Sequence, residues 1–434
     1  MTNPSNGLLA ALDAREAEGR PVRVGVVGTG DYGESLVAQI GQIPGMTVSV
    51  VCDLLPERSY AAYAHGGVGR DDVRVAGRLS QLEDAIHYGR PAITEDAALV
   101  AEVDIDVVVD CTGEVNFGAE LALSSIRQGK HVVMVNVETD VTAGVQLADE
   151  ARRQGVVYTL ADGDQPSLIV GLADWAEALG FEVVAAGKWT SLFPEDQAGA
   201  RLAAIGDPRK SDVTYFDGTK TQIEMAATAN AAGLDIDVPG LHRIAVAAER
   251  LPDCLRPKEH GGILGRSGIV DVVDGRQLNA GEFYPGGVFT IVTSPADRAM
   301  RAMAAKGVPV SDDGRYALLY RPYHLVGAET PRSIALAAIE GLPTAAPVSQ
   351  RVEVVGVAKR RLEAGTRLGG QGTMDVRGEA VNADGAEDYL PLGLVDDAKL
   401  TRALSPGERL RMSDVVPPND STVWRLRSPG RKVA

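Results

Sequence analysis

Short β-branched runs that break into glycine and then into helix-prone stretches set the pattern of the first third of the chain. Val22 to Val27 reads Val-Arg-Val-Gly-Val-Val, breaks into Gly28-Thr-Gly30-Asp-Tyr-Gly33, and continues into the helix-prone Glu34 to Ile40. A continuous apolar run bounded by turn residues predicts a buried strand. Similar strands are expected at Val48 to Cys52, Asp106 to Asp110, His131 to Asn136 and Gly155 to Tyr158. Gly7 to Glu18 reads as a first helix, and Leu121 to Gln128 as a crossover helix closed by Gly129. Buried strands alternating with helical spacers imply a parallel sheet, hence an α/β fold.

The pattern changes from Asp162. A helix over Leu168 to Leu179 leads to a strand over Phe181 to Ala186, and Gly/Pro-punctuated stretches then run to Tyr323. This texture suits an α+β substrate and dimerisation domain. Pro331 to Ile339 is expected as a helix packed back on the first domain. Beyond Pro347 the chain reads as short strands with Gly/Pro corners, at Val352 to Ala358, Leu362 to Leu368 and Leu390 to Val395. The tail after Val416 is expected to be loosely held. Three segments follow: 1–160, 161–346 and 347–434.

Composition narrows the function classes. A formal charge of −16 opposes a general affinity for nucleic acid or an anionic membrane, while leaving room for a local basic pocket. Cys52, Cys111 and Cys254 are widely spaced and form no Cys-x-x-Cys, so neither a disulfide framework nor a structural zinc site is expected. With no signal-peptide pattern and no apolar run long enough to span a bilayer, a cytoplasmic protein is expected.

Strand, Gly-x-Gly-x-x-Gly and helix in that order carry a specific chemistry. Gly28 permits the tight turn, Gly30 lets the backbone approach a pyrophosphate, and Gly33 lets helix and strand pack closely. Thr29, Asp31 and Tyr32 complete the turn. Asp53 ends the next strand, where a carboxylate accepts the adenine-ribose hydroxyls. The segment 1–160 is therefore expected to be a doubly wound Rossmann domain that binds NAD or NADP, with Asp53 favouring NAD. At the ends of two later strands, Cys111-Thr112-Gly113 and Asn136-Val-Glu138 are candidates to lie beside the nicotinamide; for the first, a plain strand-ending turn reads equally well.

These residues bring out a resemblance to the homoserine dehydrogenases. Asn136 matches the asparagine of that family's Asn-Lys pair, Gly163-Asp-Gln-Pro166 stands near its Gly-x-Pro, and Asp217-Gly-Thr219 stands for its Asn-Gly-Thr. The lysine of the pair is Val137 here, and the family's Asp-Leu-x-Gly-x-Asp-x-x-Arg-Lys segment has no counterpart. The last eighty or so residues resemble the SAF, or β-clip, domain, through Leu362 to Leu368 and the later Gly407-Glu-Arg-Leu410 and Asp414-Val415. That module occurs in enzymes and in antifreeze and pilus-assembly proteins, so it names no reaction. Leu255 to Gly262, Tyr284 to Phe289 and Tyr320 to Leu325, taken with the nucleotide domain and SAF tail, extend the likeness across nearly the whole chain. The whole is similar to SAF-containing predicted homoserine dehydrogenases, a group that includes 1-deoxy-D-xylulose 5-phosphate reductoisomerase-like enzymes of isoprenoid precursor synthesis. The resemblance implies an NAD(P)-dependent, homo-oligomeric oxidoreductase acting on a small carbonyl or sugar phosphate.

Carbonyl reduction needs a positioned acid or cation to stabilise the developing alkoxide. Lys220, inside a helix that follows Asp217-Gly-Thr219, and Lys188, at the end of the strand begun at Phe181, are the candidates, with Glu138 beside them as a catalytic carboxylate. Each lysine also reads as a solvated surface charge. Arg321 and His324 are candidates to clamp a phosphate or carboxylate, and Lys258 and His260 to form a mobile loop closing on substrate. Plain structural roles compete for all four. Glu138, Asp162 and Asp164 are expected to hold Mg2+ or Mn2+ only if the fold gathers them. The alternative from another class is a non-catalytic NAD-binding sensor or scaffold whose β-clip domain recruits a partner.

Overall fold

A computed structural model describes residues 7–279 and 284–428. The chain divides into two compact units, one of residues up to Ser167 together with Leu325–Ala346, the other of Leu168–His324 together with Pro347 onward.

The first unit is built on a seven-stranded sheet ordered β3-β4-β2-β1-β5-β6-β7. The strands are β1 (Val22–Val27), β2 (Met46–Cys52), β3 (Arg74–Val75), β4 (Ala92–Thr94), β5 (Val107–Asp110), β6 (His131–Met134) and β7 (Tyr158–Leu160). Every pairing is parallel. The runs at Val22 to Val27, Val48 to Cys52, Asp106 to Asp110 and His131 to Asn136 are β1, β2, β5 and β6, where Val24, Val26, Val107 and Val109 have no exposed surface; the strand expected over Gly155 to Tyr158 begins only at Tyr158, because Gly155 is the left-handed C-cap of α7. Helices α1 (Leu8–Ala17), α2 (Asp31–Ile40), α3 (Pro56–His65), α4 (Leu79–His87), α5 (Ala97–Glu102), α6 (Val115–Arg127) and α7 (Val137–Gln154) alternate with them. The crossover helix begins six residues earlier than expected, at Val115. The order reverses between β1 and β5, the switch point at which doubly wound sheets bind ligands.

Helix α8 (Gln165–Ala178) leads into the second unit. Its sheet runs β11-β10-β8-β9, from β8 (Glu182–Thr190), β9 (Ile269–Asp274), β10 (Val288–Thr293) and β11 (Tyr316–Arg321). β8 pairs parallel to β9 and antiparallel to β10. Helices α9 (Glu195–Ile205), α10 (Lys210–Phe216), α11 (Thr219–Ala232), α12 (Leu251–Cys254) and α13 (Asp297–Ala305) belong here. Beyond β11 the chain returns to the first unit, where α14 (Thr330–Ala335) packs on α2 as expected from Pro331 to Ile339. Ile334 and Ala335 join Leu36, Val37 and Ile40 in one core.

Residues from Pro347 onward complete the second unit with β12 (Val352–Ala358), antiparallel to β13 (Val376–Asn382), the two-residue pair β14 (Lys399–Leu400) and β15 (Val415–Val416), and α15 (Thr422–Arg427). Two expectations fail here. Leu362 to Leu368 and Leu390 to Val395 are not strands: the first makes only isolated bridges, and the second folds into a 3-10 turn over Leu392–Leu394 after Pro391. Proline removes a ladder donor, and apolar content alone does not make a strand. Nor is the tail loose throughout, since Trp424 of α15 is buried and donates its indole N–H to Leu394 O at 3.1 Å. Among the described residues no helix is long and apolar enough to cross a membrane.

Candidate functional site

At the switch point of the first unit the three glycines have separate duties. Gly28 lies at φ 90°, and a Cβ there would stand 2.9 Å from Cys111 O. A Cβ on Gly33 would stand 2.0 Å from Gly28 O, so helix and turn touch only because that residue has none. Beside Gly30, the N-cap of α2, no other group of the protein lies within 4 Å of the Cβ position. A pyrophosphate needs this open approach to backbone at a helix amino end. Asp31 stands exposed in the same first turn.

Asp53 is fixed into the turn. Its Oδ2 accepts from the N–H and hydroxyl of Thr29 at 2.8 and 2.7 Å, and its Oδ1 from Leu55 N at 2.9 Å. Burial opposes its ionisation, but the Leu55 and Thr29 bonds outweigh burial and hold the carboxyl below its usual range. Among the described residues Oδ1 accepts one bond only and keeps a lone pair, so this anchoring is compatible with a ribose contact.

The neighbouring strand ends form a second network. Asp110 Oδ1 accepts from Thr112 N and Oγ1 at 2.9 and 2.7 Å, while Asn136 donates to Asp110 Oδ2 at 3.1 Å and to Glu114 O at 3.1 Å. Asn136 also caps α7 by accepting from Thr139 N. Its buried carboxamide therefore orders the loop of Cys111, Thr112 and Gly113, which Gly28 contacts directly. Burial pushes the Cys111 thiol well above its ordinary range, so it is not a ready nucleophile. Tyr32 is turned to a structural use: its hydroxyl bonds Thr330 Oγ1 at 2.7 Å and Asp162 O at 3.2 Å, pinning the returning segment.

The possible metal ligands are not brought together. Glu138 lies in the first turn of α7, Asp162 bonds Ser167 Oγ at 2.6 Å and Arg332 at 2.5 Å, and Asp164 accepts from Gln165 N. No group of three or more His, Cys, Asp or Glu among the described residues is arranged to hold a metal. A recess of about 1500 Å³ lined by Arg20, Pro44, Tyr63 and His87 lies at the starts of β1 and β2, the opposite edge from the glycine turn. The chemistry of a doubly wound sheet belongs at the other edge.

In the second unit, Lys188 and Lys220 meet through a residue that the sequence does not single out. Glu224, 1% exposed, bonds Lys188 Nζ with one carboxylate oxygen, and Lys220 Nζ stands 3.4 Å from the other. Burial resists its charge, yet Lys188 and then Lys220 hold the Glu224 carboxyl below its ordinary range. Lys188 lies within β8, two residues before its end, and is buried. Lys220 keeps 41% of its side chain exposed in the first turn of α11. The signal that could have found Glu224 is its i,i+4 spacing from Lys220.

His324 also faces Glu224 electrostatically, and its Nδ1 bonds Gly286 O at 2.7 Å. Arg321 ends β11 with its guanidinium 4.7 Å from the Tyr323 ring centre. Lys258 and His260 lie in a 3-10 turn, with His260 bonded to the Tyr316 hydroxyl.

Comparison with known proteins gives two separate family likenesses along the chain. Residues 56–161 match the family model for the homoserine dehydrogenase NAD-binding domain, and residues 163–330 that for the catalytic domain of oxidoreductase DRL. The chain thus contains an NAD-binding domain and an oxidoreductase catalytic domain of these types. A homoserine dehydrogenase of Pseudomonas aeruginosa is 31% identical over 140 residues, 32% of this chain and 28% of that protein. A glycosyl hydrolase family 109 protein of Solibacter usitatus is 29% identical over 113 residues, 26% of this chain and 23% of that protein. The chain spans about a quarter of the length of the curated relatives it matches. Among solved structures, a probable dehydrogenase from Thermotoga maritima superposes with TM-score 0.40 at 13% identity, covering 76% of this chain and 91% of that one. The 1-deoxy-D-xylulose 5-phosphate reductoisomerase of Zymomonas mobilis with NADPH gives TM-score 0.36 at 18% identity, covering 48% of this chain and 57% of its own.

Proposed function

We propose that this protein is an NAD(P)-dependent oxidoreductase that transfers hydride between the nicotinamide and the carbonyl carbon of a small molecule. The observation that carries the reading is the buried Lys188–Glu224 pair with Lys220 on its open side. A buried ion pair contributes little to stability compared with apolar packing, so its presence in a matched catalytic domain favours a chemical role. Bound nicotinamide supplies or accepts the hydride. As hydride adds to the carbonyl carbon, the oxygen becomes an alkoxide and takes a proton from the Lys220 ammonium. Lys188 acts as the positioning residue, fixing the carboxylate that orients Lys220.

Asp53 favours NAD over NADP by like charge with a 2′-phosphate, Asp31 belongs to the diphosphate turn, and Cys111, Thr112, Gly113 and Asn136 are assigned to the nicotinamide end of the site. The substrate is taken to be a small aldehyde or ketone or a sugar phosphate, with 1-deoxy-D-xylulose 5-phosphate among the candidates. Residues 347–434 are inferred to be a β-clip domain and tail that support the second unit and supply no acid or base to the hydride-transfer step.

The test is a panel of carbonyl metabolites, including 1-deoxy-D-xylulose 5-phosphate, read by nicotinamide absorbance at ~340 nm. On the substrate so found, Lys220→Met should lower turnover by roughly a hundredfold, the range for a lost positioned acid, with NAD affinity unchanged. Near-normal turnover in Lys220→Met with none in Lys188→Met transfers the acid role to Lys188. Tight NAD binding with no turnover across the panel favours a sensor or scaffold.

A further inference from the structure

The strand that carries part of the second unit's core also anchors a segment with unusual backbone. Leu241 and Arg243 both adopt left-handed conformations, φ 69° and 59°, although neither is glycine. Between them His242 is held firmly. Asp271 of β9 accepts from His242 N at 3.1 Å and meets its Nδ1 at 2.6 Å, while Asp237 stands 3.2 Å from Nε2. Two carboxylates on one ring, the Asp271 bond first, favour the protonated imidazole and raise its pKa. The clamp on His242 therefore fixes the backbone from which Arg243 extends.

Arg243 is aimed at other cations. Its guanidinium reaches Gly218, the N-cap of α11, with Nη2 standing 2.7 Å from where a Cβ would be. Arg377 and Arg276 are its cationic neighbours, and Asp274 and Glu379 the nearby carboxylates. Both carboxylates are engaged elsewhere: Asp274 takes Arg276 at 2.7 Å, and Glu379 takes Arg409 at 2.6 Å. No hydrogen bond or ion pair engages the exposed Arg243 guanidinium among the described residues. An ordinary surface arginine swings away from like charge into water; this one is held in a strained backbone beside two others.

We propose that Arg243, beside Arg377 and the amino end of α11, is an oxyanion-binding site for the phosphate or carboxylate of a small-molecule substrate. A planar guanidinium fork matches either group bidentately, and the partial positive charge at the start of α11 adds to it. Lys220 lies two residues beyond Gly218 in that first turn. The site would thus hold the anionic end of a molecule whose carbonyl reaches Lys220. This rests on reading the second unit as substrate-binding, and it replaces Arg321 and His324 as the principal anion clamp.

The test uses the full chain and binding alone. Inorganic phosphate and, separately, acetate are titrated calorimetrically at fixed ionic strength into the wild type, Arg243→Asn, Arg243→Lys and Arg321→Gln. Asparagine tolerates the left-handed conformation, so Arg243→Asn should fold. Saturable phosphate binding is expected, weakened at least about tenfold in Arg243→Asn, severalfold in Arg243→Lys, and unchanged in Arg321→Gln. Acetate that displaces phosphate identifies a carboxylate as the natural group; acetate that does not identifies a phosphate ester. Absence of saturable binding of both ions, unchanged binding in Arg243→Asn or, should that variant not fold, in Arg243→Lys, or loss confined to Arg321→Gln overturns the proposal. Because no turnover is measured, the titration and the hydride-transfer assay fail independently.

Discussion

Glu224 concentrates the energetics of the second unit at one carboxylate. Its folded pKa lies below its unfolded value near 4.5, so its contribution to stability is present above that value and is lost as pH falls through the folded pKa. Lys188→Met removes its first charge partner and leaves a buried anion, at a cost of about 3–5 kcal/mol. Lys220→Met, at a half-exposed position, should cost no more than about 1 kcal/mol. The Lys188→Met deficit should be large in urea titrations at pH 8 and narrow as pH falls and the variant's Glu224, with burial, Lys220 and His324 still acting on it, takes up its proton. A pH-independent deficit would show that packing, and not charge, holds Lys188. Asp140 behaves oppositely. Burial pushes it up to about 7, with only the Tyr158 hydroxyl, 2.9 Å away, favouring its charge. Being raised, it contributes stability below its unfolded pKa that is lost as pH rises through about 7. Asp140→Asn should therefore stabilise the protein by a few kcal/mol above pH 7, at about 1.4 kcal/mol for each tenfold weakening of the acid, and much less at pH 4, by the same urea measurement. The sequence disclosed neither residue's role, because burial, which decides both, depends on which helix faces which strand.

Elements were more legible than side chains. The strands β1, β2, β5 and β6 could be read directly, since valine-rich runs between turns leave few alternatives. The glycine turn was legible for the same reason, and its positions can now be separated. Gly33→Ala places a methyl group against Gly28 O and should lower stability by about 1–3 kcal/mol along with NAD affinity. Gly30→Ala meets no protein atom, so it should leave the thermal unfolding midpoint unchanged and still weaken NAD binding. If Gly30→Ala binds NAD like the wild type, the diphosphate does not lie there. Asp53→Ala should shift preference towards NADP(H), and an unchanged ratio in paired titrations would remove Asp53 from ribose recognition. Apolar segments beyond Pro347 misled because Leu390 to Val395 buries its side chains in a turn, and burial without periodicity does not distinguish turn from strand.

For the molecule as a whole, residues from Pro347 onward are tied to α11 by polar bonds that periodicity does not reveal. Gly378 N donates to Thr219 Oγ1 at 2.9 Å, Ala380 N to Gln222 Oε1 at 3.0 Å, and Val352 N to Asn230 Oδ1 at 2.9 Å. Truncation after Pro347 would remove these bonds, each worth about 0.5–1.5 kcal/mol, and expose to water the side of α11 that β12 and β13 cover. NAD binding should survive in such a protein while turnover is lost, and calorimetry should show one transition missing. A truncated chain with full turnover would make the C-terminal residues dispensable to the second unit.

The return of residues 325–346 to the first unit also bears on how the protein is made. Leu36, Val37 and Ile40 emerge early, yet Ile334 and Ala335, which share their core, emerge only after all four strands of the second unit's central sheet. At a synthesis rate of ~5–20 residues per second the interval is on the order of tens of seconds, during which the nascent nucleotide-binding unit shows water an apolar flank. Its last step of folding is therefore timed by the ribosome, and a fragment ending at residue 160 stays permanently in that unfinished state.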